Sequence, residues 1–223
     1  MTTTRIADSL PQWAFVLWWF LANMISFSLI AALFHNFPLA FSFPPRLGSF
    51  GFFEFQSAAF GAILGAVPAI LIGLLQRVVL RRHLILSRWW ILSAASGVGL
   101  LHFLSDGFPD AKDLSIAVFA SGVLVGLLQW FLLRRSMSLS AWWVLASLAG
   151  WYLGWVAGMA LLDGIGLLNL PWTPELGFQQ HGLVGSVVGM AYGILTGAGL
   201  VWLLRGNRHR AARDKIHRMD AEV

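Results

Sequence analysis

The chain has no cysteine and little charge. Only 11% of its 223 residues are charged, against about a quarter in an ordinary soluble domain. The absence of cysteine excludes a disulfide scaffold and any zinc site built on thiolates. The scarcity of charge stands beside 58% hydrophobic residues and a mean hydropathy of +0.73. A soluble fold of this size has nowhere to hide so much apolar surface, and a disordered chain does not carry it. The composition therefore describes an integral membrane protein.

Catalytic signatures are missing as well. The sequence contains no HExxH, GxGxxG, P-loop or GxSxG string, so the usual zinc, nucleotide and serine-hydrolase chemistries have no foothold. An intramembrane serine protease would need its nucleophile in a Gly-x-Ser-Gly setting. The nearest strings, Ala95-Ser96-Gly97 and Gly185-Ser186, do not fit. No Asp, Glu, Lys or Arg falls in the middle of an apolar stretch. Driven transporters and proton pumps normally keep such a charge for function, so that class is disfavoured, while a passive pore is not. The chain is read as a non-enzyme.

What is present is a series of uncharged apolar runs. A bilayer core of about 30 Å needs about 20 helical residues. Six runs qualify, at 12–35, 57–80, 89–105, 114–133, 141–162 and 181–204. They lack the alternation of barrel strands. The first run is too long for a signal peptide and no small-residue cleavage site follows it. Of the 15 basic residues, 13 fall on one side of this topology: Arg5, Arg77, Arg81, Arg82, Arg88, Arg134, Arg135, Arg205, Arg208, Arg210, Arg213, Lys215 and Arg218. Arg46 and Lys112 fall on the other, so both termini are expected on the cytoplasmic side. The net charge of +5 then reads as attraction to anionic head groups, not as nucleic-acid binding. The expected division is one transmembrane domain, 1–204, and a basic tail, 205–223.

The runs repeat. Residues 73–97 and 126–150 align without a gap, and 13 of the 25 positions are identical. The shared frame is Gly73-Leu74-Leu75-Gln76, Leu80-Arg81-Arg82, Leu86-Ser87, Trp89-Trp90, Leu92 and Gly97. Its partners are Gly126-Leu127-Leu128-Gln129, Leu133-Arg134-Arg135, Leu139-Ser140, Trp142-Trp143, Leu145 and Gly150. Trp18-Trp19 matches Trp89-Trp90 upstream. Downstream, Gly197 and Leu203-Leu204-Arg205 match Gly126 and Leu132-Leu133-Arg134, which leaves Leu200 where a third Gln would stand. The expected fold class is an all-α integral membrane protein, six helices as three parallel two-helix hairpins at 12–80, 89–133 and 141–204. Unlike the inverted repeats of many transporters, these share one orientation.

Each part of the frame has a physical reading. The pairs Trp18-Trp19, Trp89-Trp90 and Trp142-Trp143 are expected at the interface, ring in lipid and indole N–H in water. The pairs Arg81-Arg82 and Arg134-Arg135 are expected to fix depth by reaching head groups. Gln76 and Gln129 lie about a turn inside them and are expected to bond across helices. Small residues recur four apart, which places them on one helix face and lets backbones approach. They are Gly61, Gly65, Ala69 and Gly73; Gly122 and Gly126; Gly150, Gly154 and Gly158; and Gly185, Gly189, Gly193 and Gly197. Their partners are helices of this chain or of another subunit.

Nine of the 17 Phe residues lie between Phe34 and Phe60, among Pro38, Pro44 and Pro45. A second apolar loop, 164–180, carries Pro171, Trp172 and Pro174. Such loops cap the chain's own helices or dock on another membrane subunit or a lipid-like cofactor. His35, His102 and His181 fall toward the outer ends of three helices. They are read either as ordinary hydrogen-bonded interfacial histidines or as ligands to haem iron or to the magnesium of a chlorophyll-type pigment, with Asp106 orienting His102. No bis-His spacing singles out a pair.

The frame of Gly-x-x-Gln, Leu-Arg-Arg, Trp-Trp-x-Leu and glycine stripes resembles a class of uncharacterised bacterial multi-pass membrane proteins with repeated Trp-Trp / Gln-x4-Arg-Arg helical hairpins, over most of residues 12–205. That class is associated with photosynthetic and filamentous bacteria. The resemblance implies a bacterial inner membrane or an equivalent photosynthetic membrane. It carries no activity, so it assigns no functional residue. The expected role is a structural, accessory or assembly subunit of a larger membrane complex, photosynthetic or bioenergetic, contacting other subunits through the Phe-rich loop and the glycine stripes. A passive conduit for a small solute, ion or lipid stands beside it, with Gln76 and Gln129 facing a common lumen. A pigment- or haem-binding subunit is the third reading. Lipid, pigment and haem all stay open as bound groups.

Overall fold

The computed structural model describes residues 12–36, 52–81, 84, 87–107, 114–134, 136–137, 140–167 and 174–221, with side chains over 13–32, 58–81, 84, 87–105, 114–134, 136–137, 140–167 and 179–206. Regular structure among the described residues is helical throughout. The elements are α1 (Gln12–Asn36), α2 (Phe52–Leu80), α3 (Trp89–Gly107), α4 (Leu114–Leu133), α5 (Trp142–Gly164) and α6 (Pro174–Ala221). Helices are what such runs must form in lipid, where each backbone polar group needs a partner within its own segment. Five of the six, all but α3, are long and apolar enough to cross a bilayer. The chain is thus a multi-pass membrane protein.

Four helices match the apolar runs to within two residues at either end. The other two outrun them. α2 begins at Phe52, and α6 extends for 48 residues. The segment expected as a separate basic tail therefore continues α6 as far as Ala221. Its Arg, Ala, Lys and Met residues are good helix formers, and no Gly or Pro interrupts them after Gly206. By contrast α5 stops sharply. Gly166 takes a positive φ of 72°, and its N–H reaches back to the Asp163 carbonyl at 2.9 Å. Only glycine enters that conformation without strain.

Each helix packs on its neighbours in sequence, and α1 also packs on α6, so the first and last helices close the circle. The pairs α1–α6 and α2–α3 make the most extensive contacts. Two apolar clusters fill the interior. One gathers Phe27, Ile72, Val98, Val125, Trp151 and Tyr192 with their neighbours. The other, nearer the end where Arg77, Arg81, Arg88 and Arg134 lie (the basic end), gathers Trp19, Leu80, Trp90, Leu133, Trp143 and Leu200. Between them sits a layer of buried polar side chains.

Candidate functional site

The Trp pairs open the site. Adjacent helical residues point about 100° apart, so the two members of a pair cannot share a face. Trp18, Trp89 and Trp142 are 55%, 66% and 58% exposed, as an interfacial position requires. Trp19, Trp90 and Trp143 are 0%, 0% and 1% exposed. The expectation of a wet indole is corrected for these three. They turn inward and meet one another, with ring centroids 6.3 Å apart for Trp19–Trp143 and 5.9 Å for Trp90–Trp143.

A buried indole N–H needs an acceptor. Trp90 Nε1 donates to Gln76 Oε1 at 3.0 Å and Trp143 Nε1 to Gln129 Oε1 at 2.9 Å. Trp19 Nε1 donates to Thr196 Oγ1 at 2.9 Å. The two Gln side chains are themselves joined, with Gln129 Nε2 to Gln76 Oε1 at 3.5 Å. Gln76 Nε2 donates to Asn23 Oδ1 at 2.7 Å, and Asn23 Nδ2 to the Trp19 carbonyl at 2.7 Å. Tyr192 Oη donates to Gln129 Oε1 at 3.1 Å, and the Thr196 hydroxyl to the Tyr192 carbonyl. An amide oxygen has two lone pairs. Both are occupied on Gln76, by Trp90 and Gln129, and on Gln129, by Trp143 and Tyr192. The two glutamines do face a common interior, but they are at most 1% exposed and bonded to each other there.

The sequence comparison missed three members of this cluster, Asn23, Tyr192 and Thr196, and misplaced one. Leu200 is not the counterpart of Gln76 and Gln129. A Cβ added to Gly73 would lie 2.5 Å from Ile91 Cα, and one on Gly126 3.0 Å from Val144 Cα. In α6 the residue that meets α1 this way is Gly193, 3.0 Å from Phe20 Cα. Gly197 faces the Trp19 side chain instead. The α6 contact is therefore displaced by one turn from the sequence match. Thr196 comes to the indole, and Leu200 joins Leu80 and Leu133 as a fully buried residue beside the tryptophans.

The other stripe glycines meet neighbouring helices of the same chain. A Cβ added to Gly185 or Gly189 would lie 2.5 Å from the Phe27 carbonyl oxygen or 2.7 Å from that of Asn23. One added to Gly150 or Gly154 would lie 2.8 Å from Tyr192 Cα or Val188 Cα. Gly158 meets Val184, Gly122 meets Leu148 and Trp151, and Gly65 meets Val98 and His102. Gly61 is buried.

Two of the three outer histidines, His102 and His181, lie close enough to interact electrostatically. His102 is half-buried and lies over Gly65, and His181 is exposed on α6. The side chains of His35 and Asp106 fall outside the described residues, as do those of Arg82 and Arg135 and the Phe-rich loop over 37–51. Among the described residues no three of His, Cys, Asp and Glu are placed to hold a metal ion. Arg81 and Arg134 are exposed at the basic end. The Arg134 guanidinium lies 5.8 Å from the Trp130 ring centroid and 4.0 Å from that of Phe131.

On the side, α4 and α5 part around an open apolar groove of about 710 Å³, lined by residues that include Ile116, Phe119, Leu148, Tyr152 and Leu153. Comparison with protein-family models, curated proteins and solved structures finds no match to this chain.

Proposed function

We propose that the chain is a structural or assembly subunit of a membrane complex, in which its own bundle is a rigid wedge for partner subunits. The observation that carries this reading is the closed polar centre. Gln76, Gln129, Asn23, Tyr192 and Thr196 bond to one another and to three indoles, so the polar groups buried in the bundle serve cohesion. A satisfied buried network rigidifies a core and selects one packing. In this reading α3 makes a sixth crossing between α2 and α4, and the helices form three parallel hairpins about a rough threefold axis through Trp19, Trp90 and Trp143. Both termini lie on the cytoplasmic side of a bacterial inner or photosynthetic membrane, where the arginines gather.

The test has two arms. Purified protein in liposomes should pass ions and small neutral solutes no faster than protein-free liposomes. A photo-crosslinker at Leu153, beside the groove, should capture one defined membrane polypeptide in native membranes, and one at Ile63 on α2 should not. Flux above the blank would replace this reading with a conduit. Crosslinks to lipid alone at Leu153 would remove the partner. A coloured preparation with a Soret or chlorophyll-like band would restore the pigment reading.

A further inference from the structure

The α2–α3 and α4–α5 corners at the basic end share a frame but not a charge. Aligned by that frame, Arg77 stands where the other corner has Trp130, and Arg88 where it has Ala141. Both changes add a cation to the α2–α3 corner. The two residues also lie at the same end of one helix contact. Gly73 meets Ile91; Arg77 is one turn beyond Gly73, and Arg88 is three residues before Ile91.

At the α4–α5 corner Arg134 is held by the protein, because its guanidinium stacks on Phe131 and Trp130. The α2–α3 corner offers no such cushion, since Val78 and Arg77 replace the two rings. No acid comes from the adjoining stretch of chain either. Between Glu54 and Asp106 the chain has no Asp or Glu. Arg81 and Arg88 are exposed, and the Nε of half-buried Arg77 is shielded from solvent without an acceptor. A desolvated guanidinium donor without a partner is costly. Trp89, 66% exposed, stands next to Arg88.

We propose that this corner binds the phosphate of an anionic phospholipid. Arginine's planar fork matches phosphate oxygens bidentately and is weakly hydrated. An exposed Trp at the same level suits the glycerol and head-group region. The lipid supplies the acceptor that Arg77 Nε lacks and a negative charge among the corner's arginines. The α4–α5 corner, with Trp130 and Ala141 in place of Arg77 and Arg88 and with Arg134 already stacked, should bind such a lipid more weakly.

Native mass spectrometry of the full chain in detergent tests this with dioleoyl phosphatidylglycerol against dioleoyl phosphatidylcholine. The wild type should retain the anionic lipid preferentially. Arg77→Trp with Arg88→Ala, which rewrites the corner as its counterpart, should weaken retention by about fivefold for each cation removed. Arg134→Gln should change it less than about twofold. The reverse exchange, Trp130→Arg with Ala141→Arg, should create a second retained lipid, and this keeps the test alive if the first variant fails to fold. Equal retention of the two lipids by the wild type would overturn the proposal. So would a loss in Arg134→Gln as large as in the double variant. Displacement of the lipid by inorganic phosphate at equal concentration would assign the site to a free anion instead.

Discussion

Two of the three indole clasps join helices that a short connection already ties together, and the third joins helices from opposite ends of the chain. Trp90 and Gln76, like Trp143 and Gln129, are 14 residues apart, whereas Trp19 and Thr196 are 177 apart. In α2–α3 and α4–α5 the connection limits how far one helix can slide along the other. In α6–α1 packing alone sets the height. There the contact lies where a glycine meets a backbone, a hydroxyl meets an indole and a leucine fills the layer below: Gly193, Thr196 and Leu200. The side chains that pack set register, and the arginine at the helix end follows. An untied pair records the preference of the contact itself.

The largest effect should come from filling the closest backbone approaches. Gly73→Val and Gly189→Val each put a branched side chain against backbone atoms 2.5 to 2.7 Å from the first added carbon. Backbone cannot rotate away as a side-chain tip can, so each should cost about 3 kcal/mol. The comparison predicts a difference in kind. Tied helices should reclose with a shifted contact, whereas Gly189→Val should release α1. Mixed-micelle denaturation gives the stability. Protease sensitivity at the end of α1, raised only in Gly189→Val, gives the distinction.

Next comes the displaced turn. Leu200→Gln would restore the motif that the sequence match lacks. If Leu200 were the true counterpart of Gln76 and Gln129, the change should stabilise. In the observed register it buries an amide in the apolar cluster of Leu80 and Leu133, which costs about 2 to 3 kcal/mol. Thr196→Gln, at the position that meets Trp19, should cost less than half as much. A reversed order in the same denaturation assay would break the comparison.

How far the sequence could have led depends on which residue is asked. The helices were legible because uncharged runs are long and their flanks are charged. The register of α6 was not, since Leu203-Leu204-Arg205 resembles the other helix ends more closely than Gly193-Ile194-Leu195-Thr196 resembles Gly126-Leu127-Leu128-Gln129. Threonine and glutamine share a role here without sharing a shape. The inward tryptophans had a readable signal that the pair itself hides. Trp19 shares a helical face with Asn23 and Ser26, Trp90 with Ser93 and Gly97, and Trp143 with Ser147 and Gly150. The small and polar stripe runs through the second Trp of each pair, so that member faces the neighbouring helices.

A smaller difference separates the two kinds of acceptor. Gln76 serves Trp90, Asn23 and Gln129 at once, whereas Thr196 takes one indole and bonds back to its own helix. Gln76→Leu leaves two buried donors and one acceptor unmet, Thr196→Val one donor. Interhelical bonds in membranes average about 0.6 kcal/mol because the unfolded chain also finds partners. The desolvated orphans raise this, so about 2 kcal/mol is expected for Gln76→Leu and about 1 kcal/mol for Thr196→Val. Similar losses at the two sites would mean that the cluster is held by the rings alone.

The smallest effect belongs to the outward tryptophans. Replacing Trp18, Trp89 or Trp142 by Phe keeps an aromatic ring at the surface and removes one N–H from the exposed side of its helix, so each should move stability by less than about 0.5 kcal/mol. The same change at Trp19, Trp90 or Trp143 removes the donor of a buried bond and shrinks a ring in contact with another, so each should cost at least 1 kcal/mol. Three adjacent pairs, identical in composition and one residue apart in position, thus provide six variants in two classes. Emission spectra add an independent reading. Removing an inward Trp should leave the red, interfacial part of the emission in place, whereas removing an outward one should deplete it. If the six variants fell along one continuous series, the inward turn of the second Trp would not be a property shared by the three helices. The equivalence of their clasps would fall with it.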